Sequence, residues 1–155
     1  IPERHIRKSD ITKSHCKIDK SCCQTSSKAH RYCYRHQCYE TTRKVAEYLE
    51  LKEGTYSTSF QSRLGIDPWL QPYSDQTIAR FAKKGVKNMA IVTPAFVSDC
   101  LETLEEIGME AAEDFEEKGG EELHVIPCIN TRADWVNVMS RWIDQWAKAE
   151  TVTSA

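Results

Sequence analysis

Two sets of side chains in this sequence could do chemistry by type and spacing. Five of the seven cysteines, Cys16, Cys22, Cys23, Cys33 and Cys38, crowd into 23 residues, while Cys100 and Cys128 stand far downstream. An odd count packed into one segment suits metal-bound thiolates better than a framework of disulfide pairs. The second set is the row Glu102, Glu106 and Glu110, spaced i, i+4, i+8. A helix would put these on one face with neighbouring Cβ atoms about 5 to 6 Å apart, and exposed like charges at that spacing weaken a helix slightly. Read as hard oxygen donors, the row could pass divalent cations along the helix; read as structure, it is a solvated acidic face. Asp99, three residues before Glu102, has the spacing of a capping box, in which each residue accepts from the other's backbone N–H.

Hydrophobic periodicity and breaker residues predict the elements that must hold these groups. From Ile1 to His30 no apolar period is visible and Ser, Thr, Lys and Cys dominate, which predicts an irregular segment ordered only by something that ties it down. A helix is expected over Tyr34–Leu49, stopped near Gly54, and a short strand over Tyr56–Gln61. Arg63–Tyr73, with Gly65, Pro68 and Pro72 around Trp69, reads as a loop. A helix capped by Ser74–Asp75 should run to Lys84 and close at Gly85. A buried strand over Asn88–Val92, the longest helix over Ser98–Lys118, a third strand over Glu122–Ile126 and an amphipathic helix over Arg132–Ala147 complete the pattern. Strands alternating with helices imply right-handed crossovers and a parallel sheet, so the fold class is α/β, a three-layer arrangement with helices flanking the sheet. Ligands of such sheets bind beyond the carboxyl ends of the strands, near Gln61–Trp69, Thr93–Glu102 and Pro127–Asn130.

At 155 residues, 40% hydrophobic and 28% charged, the chain has an ordinary soluble composition and is read as one domain, 1–155, with 10–38 as a cysteine-rich metal-binding insertion. Such a chain can bury roughly 70% of the surface it exposes when unfolded, so the cysteines are not needed as staples. A formal charge of −2 argues against nucleic acid or an anionic membrane as the main partner. No apolar run approaches the roughly 18 residues of a membrane span. The first residue is Ile, so a processed or excised piece is expected.

The stretch Pro94–Ile107 resembles the ferrochelatase signature around that family's buried glutamate, with a Ser-Asp-x-x-Glu-Thr-Leu core followed by further carboxylates. Phe60-Gln61-Ser62-Arg63-x-Gly65-x-x-x-Trp69-Leu70-x-Pro72 resembles the family's porphyrin-pocket loop, and Cys38–Arg43 resembles the helix start of bacterial members. Ile1–His5 is similar to the residues that follow the family's Ser-x-His-Gly motif, which would place the active-site histidine just upstream; His5 follows Pro2 and is not that histidine. The resemblance implies an enzyme, a metal-chelating lyase of heme biosynthesis that inserts ferrous iron into protoporphyrin IX. It makes Glu102 the catalytic carboxylate, and Glu102, Glu106, Glu110 and Asp99 the metal-handling set. Gln61, Ser62, Arg63, Trp69 and Phe96 would line the porphyrin pocket. Taken one at a time, Trp69 also reads as loop packing and Arg63 as a solvated charge. The partners implied are protoporphyrin IX, ferrous iron and the N-terminal half of the same enzyme, with no nucleic acid, and the fragment alone is expected to be inactive. A cytoplasmic location follows, with peripheral attachment to a membrane as its variant.

Some bacterial members of that family hold an iron-sulfur cluster in an internal insertion, and the segment from Cys16 to Cys38 resembles that version. By this resemblance Cys16, Cys22, Cys23 and Cys33 would ligate a 2Fe-2S cluster, with Cys38 as alternate. Zinc is the rival ligand, since His15, His30 and His36 stand near, and unligated reduced thiols are a third reading. Two other functions stay open: a non-catalytic iron-sulfur or heme-binding module, and a chelatase for another divalent metal.

Overall fold

In the computed structural model, which describes residues 1–17 and 19–153, the chain divides into two compact units, Ile1–Phe81 and Ala82–Ala155. The first unit opens with helix α1 (Glu3–Ser9), passes through 3-10 turns at Ser21–Gln24 and Lys28–Tyr32, and continues in α2 (Tyr34–Tyr48) and α3 (Ser74–Lys83). The irregular segment expected up to His30 is therefore partly helical. Glu, Arg and Lys are good helix formers, and Ile6 is the buried residue that anchors α1. Ile6 joins Cys33, Phe60 and Leu70 in the unit's core, with Cys16, Cys38 and Tyr39 packed against it.

The strand expected over Tyr56–Gln61 does not form. Phe60 alone makes a bridge, to Tyr73, donating its N–H to the Pro72 carbonyl and accepting from Ser74. Pro72 has no N–H to return, so the ladder cannot continue. This pairing closes the loop 60–73, and the chain's first residues lie along its far side: Glu3 N–H donates to Pro68 and Leu70 N–H to Ile1.

The second unit is a βαβ crossover. Strand β1 (Asn88–Ile91) and strand β2 (Glu122–Val125) pair in parallel, Asn88 opposite Glu122 and Ile91 opposite Val125. The class is α/β, with a parallel sheet of two strands among the described residues. Between the strands the expected single α-helix is replaced by a π-helical segment, Glu102–Glu110, that runs directly into α4 (Ala111–Glu117). A π-helix bonds residues five apart, and Gly108 fits that geometry: a Cβ there would stand 3.3 Å from the Thr103 carbonyl, five residues back. Thr103, Ile107 and Phe115 form the buried side, Phe115 completely, which is worth about 1.5–3 kcal/mol. Gly120 packs so closely on the Phe115 ring that an added Cβ would come within 2.2 Å of it. The longest helix is α5 (Ala133–Thr153), where Trp135 and Trp142 meet edge to face. No helix among the described residues is long and apolar enough to cross a membrane.

Candidate functional site

The acidic row sits where the sequence of the second unit turns from strand to helix, just after Asp99, which is held in a clamp between the loops that follow the two strands. Asp99 N–H donates to Asn130 Oδ1 at 2.9 Å, Asn130 Nδ2 donates back to Asp99 Oδ2 at 2.6 Å, and Cys128 N–H reaches Asp99 Oδ1 at 3.2 Å. Asn130 adopts a left-handed backbone (φ 51°), which Asn tolerates better than most residues, and donates its own N–H to Val97. The fully buried Thr103 accepts from Cys100 N–H at 3.0 Å, and its hydroxyl lies 3.1 Å from Asp99 Oδ1. The capping box expected between Asp99 and Glu102 is thus replaced by a longer-range network: Asp99 spends its oxygens on the loop after β2. Hydrogen bonds from Asn130 and then Cys128 hold its carboxyl below the usual range.

Glu102 begins the π-helical segment half-buried, while Glu106 and Glu110 are exposed. Hydrogen bonds from the Cys100 side chain and from its own backbone N–H keep the Glu102 carboxyl below its ordinary value, so it is an anion at neutral pH. Leu101 and Leu104, 68% and 60% exposed, flank it with apolar surface. Phe96, half-buried, follows a turn in which its N–H donates to Thr93. An open groove at the carboxyl end of β2, lined by Pro127, Cys128, Asn130 and Trp135 among others, lies in one of the regions expected to take ligands.

In the first unit the loop 60–73 presents the remaining expected pocket residues. Gln61 is half-buried, and Ser62 is exposed with a left-handed backbone (φ 71°). Arg63 pairs with Asp75 at 2.5 Å and lies over the Tyr73 ring at 4.3 Å. Half-buried Trp69 donates its indole N–H to the Leu64 carbonyl at 3.0 Å, fixing the ring against its own loop.

The cysteines of this unit are gathered into neighbouring pairs. The Cys16 thiol contacts that of Cys33, and burial, then Cys33, pushes it up to about 12. Cys22 contacts Cys23. Burial raises the Cys22 thiol, yet the Lys17 N–H and the Arg35 guanidinium, each 3.2 Å from its sulfur, outweigh burial and leave it below the ordinary value. Arg35 is buried and also meets the Lys17 carbonyl at 2.5 Å. Cys38 contacts Tyr34 and lies near Cys33, against the same core. Among the described residues, no three His, Cys, Asp or Glu side chains converge on a point where a single ion could sit.

Asp10, Arg35, Thr103 and Asn130 were not singled out by sequence reasoning. For Asp10 a signal exists, the Asp-x-Thr spacing of an Asx turn. Its two oxygens accept from Thr12 N–H (2.8 Å), the Thr12 hydroxyl (2.7 Å), His15 N–H (2.8 Å) and Cys16 N–H (2.9 Å), which curls the chain so that Cys16 faces Cys33. These bonds, the Thr12 hydroxyl's first, hold the Asp10 carboxyl far below its ordinary 3.8. A lowered folded-state pKa stabilises the loop above the unfolded value, and that contribution is lost as pH falls. Amide exchange at His15 and Cys16 should therefore speed up as pH drops below about 4, beyond the intrinsic trend. Asp10→Asn should show fast exchange at every pH; an unchanged profile in that variant would contradict the assignment.

Comparison with known proteins identifies the family. The family model for ferrochelatase matches residues 1–147. A ferrochelatase of Opitutus terrae is 44% identical over 149 residues, 96% of this chain and 43% of its own length. One from Pseudomonas fluorescens is 45% identical over 141 residues (90% and 41%), and one from Legionella pneumophila 43% over 148 (94% and 43%). The chain thus spans less than half the length of these relatives. With a family model matched along almost its whole length and the acidic strand-to-helix turn in place, this chain belongs to the ferrochelatase family.

Proposed function

We propose that the full-length protein inserts ferrous iron into protoporphyrin IX to give protoheme, and that this chain supplies the carboxylates for that step. The observation that carries the reading is Glu102: half-buried, ionised, placed at the opening of a π-helical turn and bordered by exposed leucines. Insertion requires two pyrrole N–H protons to leave and a hydrated dication to shed water, which calls for a base and for hard oxygen ligands beside an apolar surface. Glu102 does the close work, Glu106 and Glu110 gather the ion from solvent, and Asp99, its oxygens engaged, is a positioning residue. Trp69, Phe96, Gln61, Ser62 and Arg63 serve porphyrin binding, with Arg63 able to trade its exposed Asp75 partner for a propionate. The two strands belong to a three-layer chelatase-type sheet that other segments of the full-length protein complete.

We further propose that Cys16, Cys22, Cys23 and Cys33 hold a 2Fe-2S cluster within a cysteine-rich insertion, 10–38. The pairing supports this. Each iron of such a cluster takes two thiolates, whereas zinc in a structural site needs four donors on one ion. Cys16 with Cys33, and Cys22 with Cys23, suit two irons, and Arg35 with the Lys17 N–H supplies the positive charge and donors that a dianionic thiolate cluster draws on. When bound, the cluster brings redox-active iron and a cross-link to a polar loop. The purified full-length protein should be brown, carry about two irons and two sulfides per chain, and turn iron(II) and protoporphyrin IX into protoheme. A colourless protein with stoichiometric zinc would remove the cluster; no protoheme from cluster-loaded protein would remove the enzyme reading.

A further inference from the structure

Beside the cysteines lies an arrangement that neither chelation nor the cluster uses. His15 Nε2 and His30 Nε2 stand 3.1 Å apart, and each is 3.0 Å from the Cys22 carbonyl oxygen. Three donor atoms therefore form a nearly equilateral triangle. His36 stacks on the His30 ring, centroids 3.6 Å apart and planes within 13°, so the ring cannot swing freely.

Protons satisfy this triangle only under strain: the Cys22 carbonyl can accept from both rings, but the contact between the two nitrogens then has no bonding proton. A neutral imidazole nitrogen is either a donor or an acceptor. If both Nε2 atoms carry hydrogen, two N–H groups crowd one another at 3.1 Å while converging on one oxygen. If only one does, it serves one neighbour, and the bare nitrogen of the other ring faces the carbonyl oxygen lone pair to lone pair at 3.0 Å. A cation satisfies all three at once. Donors bound at about 2.1 Å and separated by near right angles stand about 3 Å from each other, which is the spacing seen.

We infer that His15, His30 and the Cys22 carbonyl form a second metal site, for a divalent transition ion of the kind that prefers imidazole, such as Zn(II), Cu(II) or Ni(II). Near-right angles fit a five- or six-coordinate ion better than a tetrahedral one, so water completes the sphere and the ion is exchangeable. Its effect is to clip the Asp10–Cys16 loop, the Ser21–Gln24 turn and the Lys28–Tyr32 turn together at the backbone of Cys22. The site rests on neither the cluster nor the chelatase reading.

The test is zinc titration of the cluster-loaded full-length protein, comparing wild type with His15→Gln, His30→Gln and His36→Phe. Glutamine can still donate to the Cys22 carbonyl, so a hydrogen-bonding role would survive the change, while imidazole ligation would not. The bound zinc per chain should fall by one in both Gln variants and stay at the wild-type value in His36→Phe, with sulfide content unchanged. Equal zinc in wild type and both Gln variants would overturn the site. A readout independent of the variants is the EPR spectrum of the Cu(II)-loaded wild type, in which the oxidised cluster is silent. Hyperfine splitting from two imidazole nitrogens is expected, and splitting from one or none would overturn the site equally.

Discussion

Across the acidic row, Gln substitutions in the full-length enzyme should act unequally: Glu102→Gln lowers kcat by about 10²-fold or more, while Glu106→Gln and Glu110→Gln raise KM for iron about two- to fivefold with kcat nearly intact. The split follows from placement. Glu102 is half-buried, held ionised by Cys100 and its own N–H, and follows the clamped Asp99 by three residues. A carboxylate in that position acts on the reacting centre, and removing its charge removes a base and a ligand together. Glu106 and Glu110 are exposed, where water screens each charge and any one of them only helps to draw the ion in. Equal effects at all three positions would contradict the division of labour.

Cys33→Ser should both strip the cluster from the protein and loosen the first unit by about 1–3 kcal/mol. Cys33 is 1% exposed, in the core formed with Ile6, Phe60 and Leu70, and contacts Cys16. A sulfur there packs as an apolar atom when reduced and binds iron as a thiolate, whereas a serine hydroxyl is a poor iron ligand and needs a hydrogen-bond partner the apolar core does not offer. Iron content and visible absorption should fall together in Cys33→Ser. They should persist in Cys38→Ser, because the Cys38 thiol is hydrogen-bonded to Tyr34 while Cys33 makes its thiol contact with Cys16. Full cluster content in Cys33→Ser would contradict the assigned ligand set.

The helices and strands of the second unit were legible because each has a strong local signature: Gly85 and the Gly119–Gly120 pair punctuate a β-forming run, a long polar helix and a second β-forming run. The π-helical widening was not, since periodicity cannot separate i+4 from i+5 bonding over nine residues, and the close approach of Gly108 to the Thr103 carbonyl is visible only in three dimensions. The clamp was hidden for another reason. Asp99 and Asn130 are 31 residues apart, and nothing local ties them, so the nearby Glu102 was the natural partner to expect. At Phe60 the β-forming run was real, but Pro72 opposite it has no N–H, a veto visible only once the two segments meet. In the first unit α1 lacked any apolar period because Ile6 alone is buried, and Arg35 became notable only when its guanidinium was found beside Cys22.

A single-turnover experiment on Glu102→Gln addresses the main proposal with least inference. Full-length protein is saturated with protoporphyrin IX, mixed with excess iron(II) under anaerobic conditions, and followed by porphyrin fluorescence. Binding should be at wild-type strength, and the fluorescence should then stay bright long after the wild-type signal has been quenched by metal insertion. Quenching of the variant at the wild-type rate would show that iron enters the ring without this carboxylate.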